Sequence, residues 1–174
     1  MPKLMPQTPT ILVKEPHEVP EGGLAPFIHA GTEIGVEPER LEQRIRRAHR
    51  LIYLFTGERL IGVAAIKLPA PAYRQSIFDR AGVRECMDAH PLEFGWLFVV
   101  ASERGKGHAD RLIAAGREAA PDWGLFATVR TEARSLQQVF SHHGFQPLGT
   151  SYASQLGDHQ LSLLATAPLR AKGD

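Results

Sequence analysis

Apolar positions recur along this chain with two different periods, and the switches between them mark its elements. ILVKE (11–15) is short and flanked by prolines, and is compatible with a first strand. A helical region follows. PERLEQRIRRAHR (38–50) opens with Pro38, which suits a first helical turn. Leu41, Ile45, Ala48 and Ile52 recur there at helical spacing, with Arg40, Arg44, Arg46, Arg47 and Arg50 on the other side. LIYLFTGERLIGVAAIKLP (51–69) places two apolar runs around Thr56-Gly57-Glu58 and predicts a β-hairpin in which Gly57 can supply a positive φ. PAYRQSIFDRAGV (71–83) predicts a short helix ending at Gly82. PLEFGWLFVV (91–100) predicts a strand rich in aromatic and β-branched residues.

The second half repeats the alternation. HADRLIAAGREAA (108–120) predicts a helix, LFATVR (125–130) a strand, and EARSLQQVFSHHGF (132–145) a helix ended by Gly144, with Phe145 making the usual apolar contact. QPLGTSYAS (146–154) and HQLSLLATA (159–167) predict two closing strands around a turn at Gly157-Asp158. No internal repeat or long linker divides the chain. The order predicts one mixed α/β domain built round one sheet, over residues 11–170, preceded by a flexible Pro-rich arm at 1–10.

Composition narrows the function classes. The chain has 174 residues, enough for one domain with a real core. Lys+Arg 20 against Asp+Glu 19 gives a net charge of +1, so a whole-protein electrostatic grip on nucleic acid is not expected and anion binding must be local. The single cysteine, Cys86, excludes an intrachain disulfide, argues against a Cys-based zinc site, and fits a reducing, cytoplasmic setting. No apolar run approaches a bilayer-spanning length, and MPKLMPQTPT lacks the apolar region of a signal peptide.

The local anion site has a candidate. After the strand at 91–100 the chain crosses Ala101, Ser102 and Glu103, turns through Arg104-Gly105-Lys106-Gly107-His108-Ala109, and enters a helix. A helix N-terminus carries backbone N–H groups without intrahelical partners and attracts anions. Glycines there let a phosphate approach the backbone. The turn lacks the G-x-x-x-x-G-K-S/T of a Walker A loop, and its G-x-G-x-x-G is incomplete. A pyrophosphate cradle and a plain βα loop both remain open on these residues alone.

Arg104 to Ala109, read as R-x-x-G-x-A, resembles the Q/R-x-x-G-x-G/A signature of the GNAT superfamily of acyl-coenzyme A-dependent N-acetyltransferases. The surroundings are similar too: LEFGWLFVV resembles the family's fourth strand, and HHGF its Y-x-x-x-G-F. The resemblance covers about residues 50 to 166, with 11 to 50 compatible. It implies a GNAT-like single domain with a mixed central sheet of about six or seven strands, splayed between strands four and five and flanked by helices. It implies acetyl-CoA as cosubstrate, no metal, and an amine acceptor of unknown identity. The pantetheine arm would bond to strand backbone near Phe98, Val99 and Val100. The pyrophosphate would lie on the amides of Arg104, Gly105, Lys106, Gly107, His108 and Ala109, with Asp110 in the first helical turn. His108 would supply its backbone N–H rather than side-chain chemistry.

Acetyl transfer needs a base to take a proton from the amine. Glu93 is the candidate: it begins the strand leading to the turn, strict alternation would put it on one face with Gly95, Leu97 and Val99, and its sequence neighbours are apolar. Family members often place a glutamate similarly. The chain departs from the family at Phe140, where a thiolate-protonating Tyr is common, and at Ala133, where an Asn is frequent; water, Ser135, Tyr73 or Tyr152 could substitute. Without a convincing nucleophile and base pair, direct attack in a ternary complex is expected. A non-catalytic acyl-CoA-binding module and an unrelated phosphate-ester binder are the alternatives. No membrane or nucleic-acid partner is expected, and a homodimer is compatible.

Three further features are each compatible with a structural role as well as a functional one. Adjacent His142 and His143 point about 100° apart on a helix, so charge at the last helical turn is favoured over metal chelation. The arginines of 40–50 could face an acidic substrate or the 3′-phosphate of coenzyme A, or form a solvated face. The segment 69–91, with Tyr73, Arg74, Arg80 and Arg84, is long for the link between strands three and four, and could be a substrate lid or a helix on the sheet edge.

Overall fold

A computed structural model describes residues 5–33 and 38–167. Residues 1–4 of the predicted arm and the domain end at 168–170 thus lie outside the described residues. The elements are β1 (Thr10–Lys14), α1 (Ala25–Glu33), α2 (Pro38–Arg46), β2 (Arg50–Thr56), β3 (Arg59–Lys67), α3 (Pro71–Arg80), β4 (Leu92–Val99), α4 (His108–Ala119), β5 (Leu125–Arg130), α5 (Arg134–His142), β6 (Phe145–Pro147), β7 (Tyr152–Ala153) and β8 (Gln160–Thr166), joined in places by short 3₁₀ segments. They form one mixed sheet of eight strands in the order β1-β2-β3-β4-β5-β8-β6, with β7 also on β8.

Two elements depart from the sequence reading for local reasons. The helix predicted over 38–50 ends at Arg46, because the amide of His49 bonds the carbonyl of Ile66 and Arg50 already pairs with Ile66 in the sheet. Leu41, Ile45 and Ala48 are buried as the spacing requires, but Ile52 belongs to β2. The single strand predicted over 146–154 is two, which raises the strand number above the expected six or seven. Gly149 breaks it with φ +71, where an added Cβ would run into the carbonyl oxygen of Ala81. The hairpin β2–β3 and the end of α5 at Gly144 follow the prediction.

Helices cover both faces of the sheet. On one, α4 and α5 bury Leu112, Ile113 and Phe140 against Ile52, Ile66, Phe94, Leu125 and Leu164. On the other, α1 and α2 cover β2, β3 and the far part of β4 through Phe27, Leu41, Ile45, Tyr53 and Trp96. Register pairs Lys67 with Glu93 and Glu93 with Phe126, so β5 and β8 present Phe126 and Leu163 on this second face as well. There α3 covers them with Ile77 and Phe78, joined by Ala81 just past its end. The segment 69–91 therefore packs across a sheet face rather than along a sheet edge. Arg74 helps to brace it, donating to the carbonyls of Met87 at 3.1 Å and His90 at 3.4 Å.

His90 fastens this segment to the sheet. Its ring is buried, with Nδ1 2.9 Å from the Cys86 carbonyl oxygen and Nε2 2.8 Å from that of Thr166, and it stacks on Phe78. His90→Ala removes the ring N–H that donates to one of these two carbonyls, according to the tautomer, and the ring that packs on Phe78 in a buried place. A loss of about 2 kcal/mol is expected, a fall of about 4–8 °C in Tm, measured by thermal unfolding.

Candidate functional site

The strands β4 and β5 run parallel but pair only at Leu92–Leu125 and Glu93–Phe126. Beyond Glu93 they part, and β4 from Phe94 onward has no strand neighbour on that side. A bulge falls just past the parting. The register with β3 shifts between Val63 and Ala65, and Trp96 takes φ 48. The bulge breaks the alternation expected from sequence. Leu97 and Val99 pack with Leu92 and Phe94 on the α4 side, whereas Trp96 and Phe98 face α1. Glu93 therefore does not share a face with Leu97 and Val99. It lies on the opposite one, in the seam between the cover of α1 and α2 and that of α3.

At the far end of β4 stands the glycine turn. Gly105 has φ +76 and Gly107 φ +81, and a Cβ built on either meets no protein atom within 4 Å. The glycines are set by backbone conformation, and the space before them is open. The backbone N–H groups of Gly105 through Asp110 have no hydrogen-bond partner among the described residues. They form a row of free donors opening the twelve-residue helix α4.

The side chains of the turn are engaged elsewhere. Arg104 folds back on the strand, its Nε donating to the Val99 carbonyl at 3.0 Å and its guanidinium 5.5 Å from the Phe98 ring centre. Lys106 Nζ is 3.3 Å from Glu103 Oε2, and the buried His108 reaches the same oxygen with Nε2 at 3.2 Å. His108 first, then Lys106, hold the Glu103 carboxyl below the usual carboxylate range by hydrogen bonding. Asp110 accepts from or pairs with His143 Nε2 at 2.7 Å, joining the start of α4 to the end of α5. What the turn presents outward is amides.

Glu93 anchors the other end. Its carboxylate is buried, 4% exposed, with Lys67 Nζ 3.1 Å from Oε2 and the Tyr73 hydroxyl donating to Oε1 at 3.2 Å. Its surroundings are thus not the apolar ones its sequence neighbours suggested. Tyr73 is 41% exposed as a residue, but its hydroxyl end points inward. Burial and then the Glu93 carboxylate push that phenol well above the usual tyrosine range, so it acts as a donor. The Tyr152 hydroxyl is buried without a hydrogen-bond partner among the described residues, and its phenol is pushed up to about 12, mainly by burial. Lys67 Nζ also stands 4.9 Å from the Trp96 ring centre and 5.5 Å from that of Tyr73.

The remaining candidates separate cleanly. Phe140 is buried between Phe94 and Phe145, and Ser135 is exposed on α5. Arg46 pairs with Glu42, and Arg50 with Glu15, around a cleft of about 340 Å³ at the Arg50 end of β2. That is the end of the strands away from the glycine turn, so these arginines do not reach a ligand seated there. An apolar hollow of about 320 Å³ lies beside the end of β4, lined by Pro26, His29, Leu60, Gly62, Phe98 and Val100 among others. No group of three or more His, Cys, Asp or Glu among the described residues is placed to hold a metal ion, and no helix among them is long and apolar enough to cross a membrane.

No protein-family profile and no curated protein matches the sequence. The fold, by contrast, is shared with many solved structures. An acyl-CoA N-acyltransferase from Pseudomonas aeruginosa superposes with TM-score 0.63 at 13% identity, covering 92% of this chain and 100% of that one. Escherichia coli ElaA gives TM-score 0.63 at 16% identity, with the same coverage. Arabidopsis thaliana NAA60 in complex with a bisubstrate analogue gives TM-score 0.63 at 15% identity, covering 90% and 97%. The chain has the GNAT fold.

Proposed function

We propose that the protein is an N-acetyltransferase that moves an acetyl group from acetyl-CoA to a primary amine by direct attack in a ternary complex. One observation carries this: a single unpaired strand edge runs from a buried carboxylate, Glu93, to a row of free amides, Gly105 to Asp110. A pyrophosphate on those amides and a pantetheine arm along Phe98, Val99 and Val100 would lay the thioester near Trp96. Arg104 must release the Val99 carbonyl for the arm to use it. Glu93 would receive the amine proton, and the Tyr73 hydroxyl, already hydrogen-bonded to it, would relay a proton to the thiolate, taking one up as it gives up its own. The apolar hollow beside Phe98 suits an apolar part of the acceptor. The single Cys86 fits a cytoplasmic enzyme.

The occupied state of Glu93, held by Lys67 and Tyr73, favours a second reading in which the chain binds acyl-CoA without turnover. Thermal shift with acetyl-CoA, coenzyme A and ATP, followed by thiol release across an amine panel, separates the readings. The proposal expects a rise in Tm with both coenzyme A species and not with ATP, and release that depends on an amine. Binding without release would leave only the second reading, and a preference for ATP would remove both.

A further inference from the structure

We propose that the chain acetylates itself at Lys67. This rests on the acetyl-CoA reading above and adds to it the identity of one acceptor amine. Lys67 ends β3 and lies opposite Glu93 in the β3–β4 register. An ordinary cross-strand pair of this kind would stand side by side on the sheet. Here the lysine instead lies along the strand toward the bulge. A Cβ added to Gly95 would fall 2.8 Å from Lys67 Cδ and 3.6 Å from Nζ, so only glycine at 95 leaves this path open.

The path ends in a receptor for an ammonium. Nζ meets Glu93 Oε2 at 3.1 Å and stands 4.9 Å from the Trp96 ring centre and 5.5 Å from that of Tyr73. A carboxylate and two aromatic rings are the chemistry that receives a primary alkylammonium. In this chain the protein's own lysine fills it. The place is also where an acyl group would arrive. Trp96 is four residues from Val100, at most about 13 Å across the bulge, a span that an extended arm seated on the free amides would cover. The Lys67 side chain is 18% exposed, so it is not sealed from solvent, and its partner Glu93 lies where β4 and β5 part.

The step balances. Glu93 takes one proton from the Lys67 ammonium, and the neutral amine attacks the thioester carbonyl. The C–N bond forms, the C–S bond breaks, and the second amine proton passes to the departing thiolate. The products are Nε-acetyl-Lys67 and coenzyme A, and Glu93 yields its proton to solvent. The amide is uncharged, so modification takes away the counter-ion of Glu93 and leaves the carboxylate free for an external amine.

The full chain is incubated with acetyl-CoA over a range of protein concentrations, and peptide mass spectrometry follows Lys67 against Lys14. Coenzyme A binding is read in the same samples by thermal shift. The expected result is one acetyl group at Lys67, with a rate constant independent of protein concentration and about a hundredfold or more above that at Lys14. Glu93→Gln should slow it by about 10²- to 10⁴-fold. If that variant fails to fold, the wild-type dilution series decides alone. A rise in Tm with coenzyme A but an unmodified Lys67, or one modified no faster than Lys14, overturns this inference and spares the acetyl-CoA reading. A rate that grows with protein concentration also overturns it. Absence of any coenzyme A binding overturns both.

Discussion

Glu93→Gln is expected to lower kcat/KM for amine acetylation by about 10²- to 10⁴-fold, the usual share of a positioned general base, while coenzyme A affinity stays unchanged. Glutamine keeps the size of the side chain and still accepts a hydrogen bond from Tyr73, but it cannot take a proton from an ammonium. The affinity should hold because the free amides that would seat the pyrophosphate lie at the other end of β4. The substitution also leaves Lys67 without its counter-charge. Truncating one partner of a fully buried pair costs about 3–5 kcal/mol. Lys67 is 18% exposed and can turn toward water, so a smaller loss of stability is expected. Steady-state kinetics with a reactive amine, beside coenzyme A binding on the same variant, check this. A kcat/KM unchanged across pH would take Glu93 out of the mechanism.

How far the site could be read in the sequence depends on which residues carry local signals. The turn at 104–109 was legible because glycines between a strand pattern and a helix pattern leave a positional mark. The expectation there rested on backbone amides, and the two basic side chains of the turn are engaged elsewhere, Arg104 folded onto Phe98 and Lys106 tied to Glu103. The surroundings of Glu93 were not legible. Lys67 reads only as the charged end of an apolar run, and its meeting with Glu93 depends on strand register. Tyr73 reaches Glu93 because α3 crosses the face of β5 and β8, which no periodicity within 69–91 announces. The bulge at Trp96 inverted the expected facing of Leu97 and Val99, since one extra residue shifts every side chain after it. The fold was more accessible, because each long element carries its own period. It failed where tertiary contacts set the boundary, at His49 and at Gly149.

The glycines of the chain supply a matched test of the cradle. Gly82, Gly105 and Gly107 have φ +73, +76 and +81, and a Cβ built on any of them meets no protein atom within 4 Å. Alanine at each should therefore cost the same backbone penalty, about 1–2 kcal/mol for an L-residue held in the left-handed region. The three variants should show similar falls in Tm. Coenzyme A binding should tell them apart. Gly82 follows α3, which lies on the sheet face opposite α4, so Gly82→Ala should bind as the parent does. In Gly105→Ala and Gly107→Ala the new methyl group projects into the open space before the amides, and relaxation of the strained φ turns some of them aside. Losing about two charge-assisted hydrogen bonds to the pyrophosphate removes roughly 3 kcal/mol, about a hundredfold in Kd. Isothermal titration with coenzyme A on the three variants measures the difference. Equal affinities would mean that the phosphates are held elsewhere and that the turn is shaped only by its own backbone. Because the stability cost is common to all three, a weakened affinity confined to 105 and 107 cannot be put down to partial unfolding.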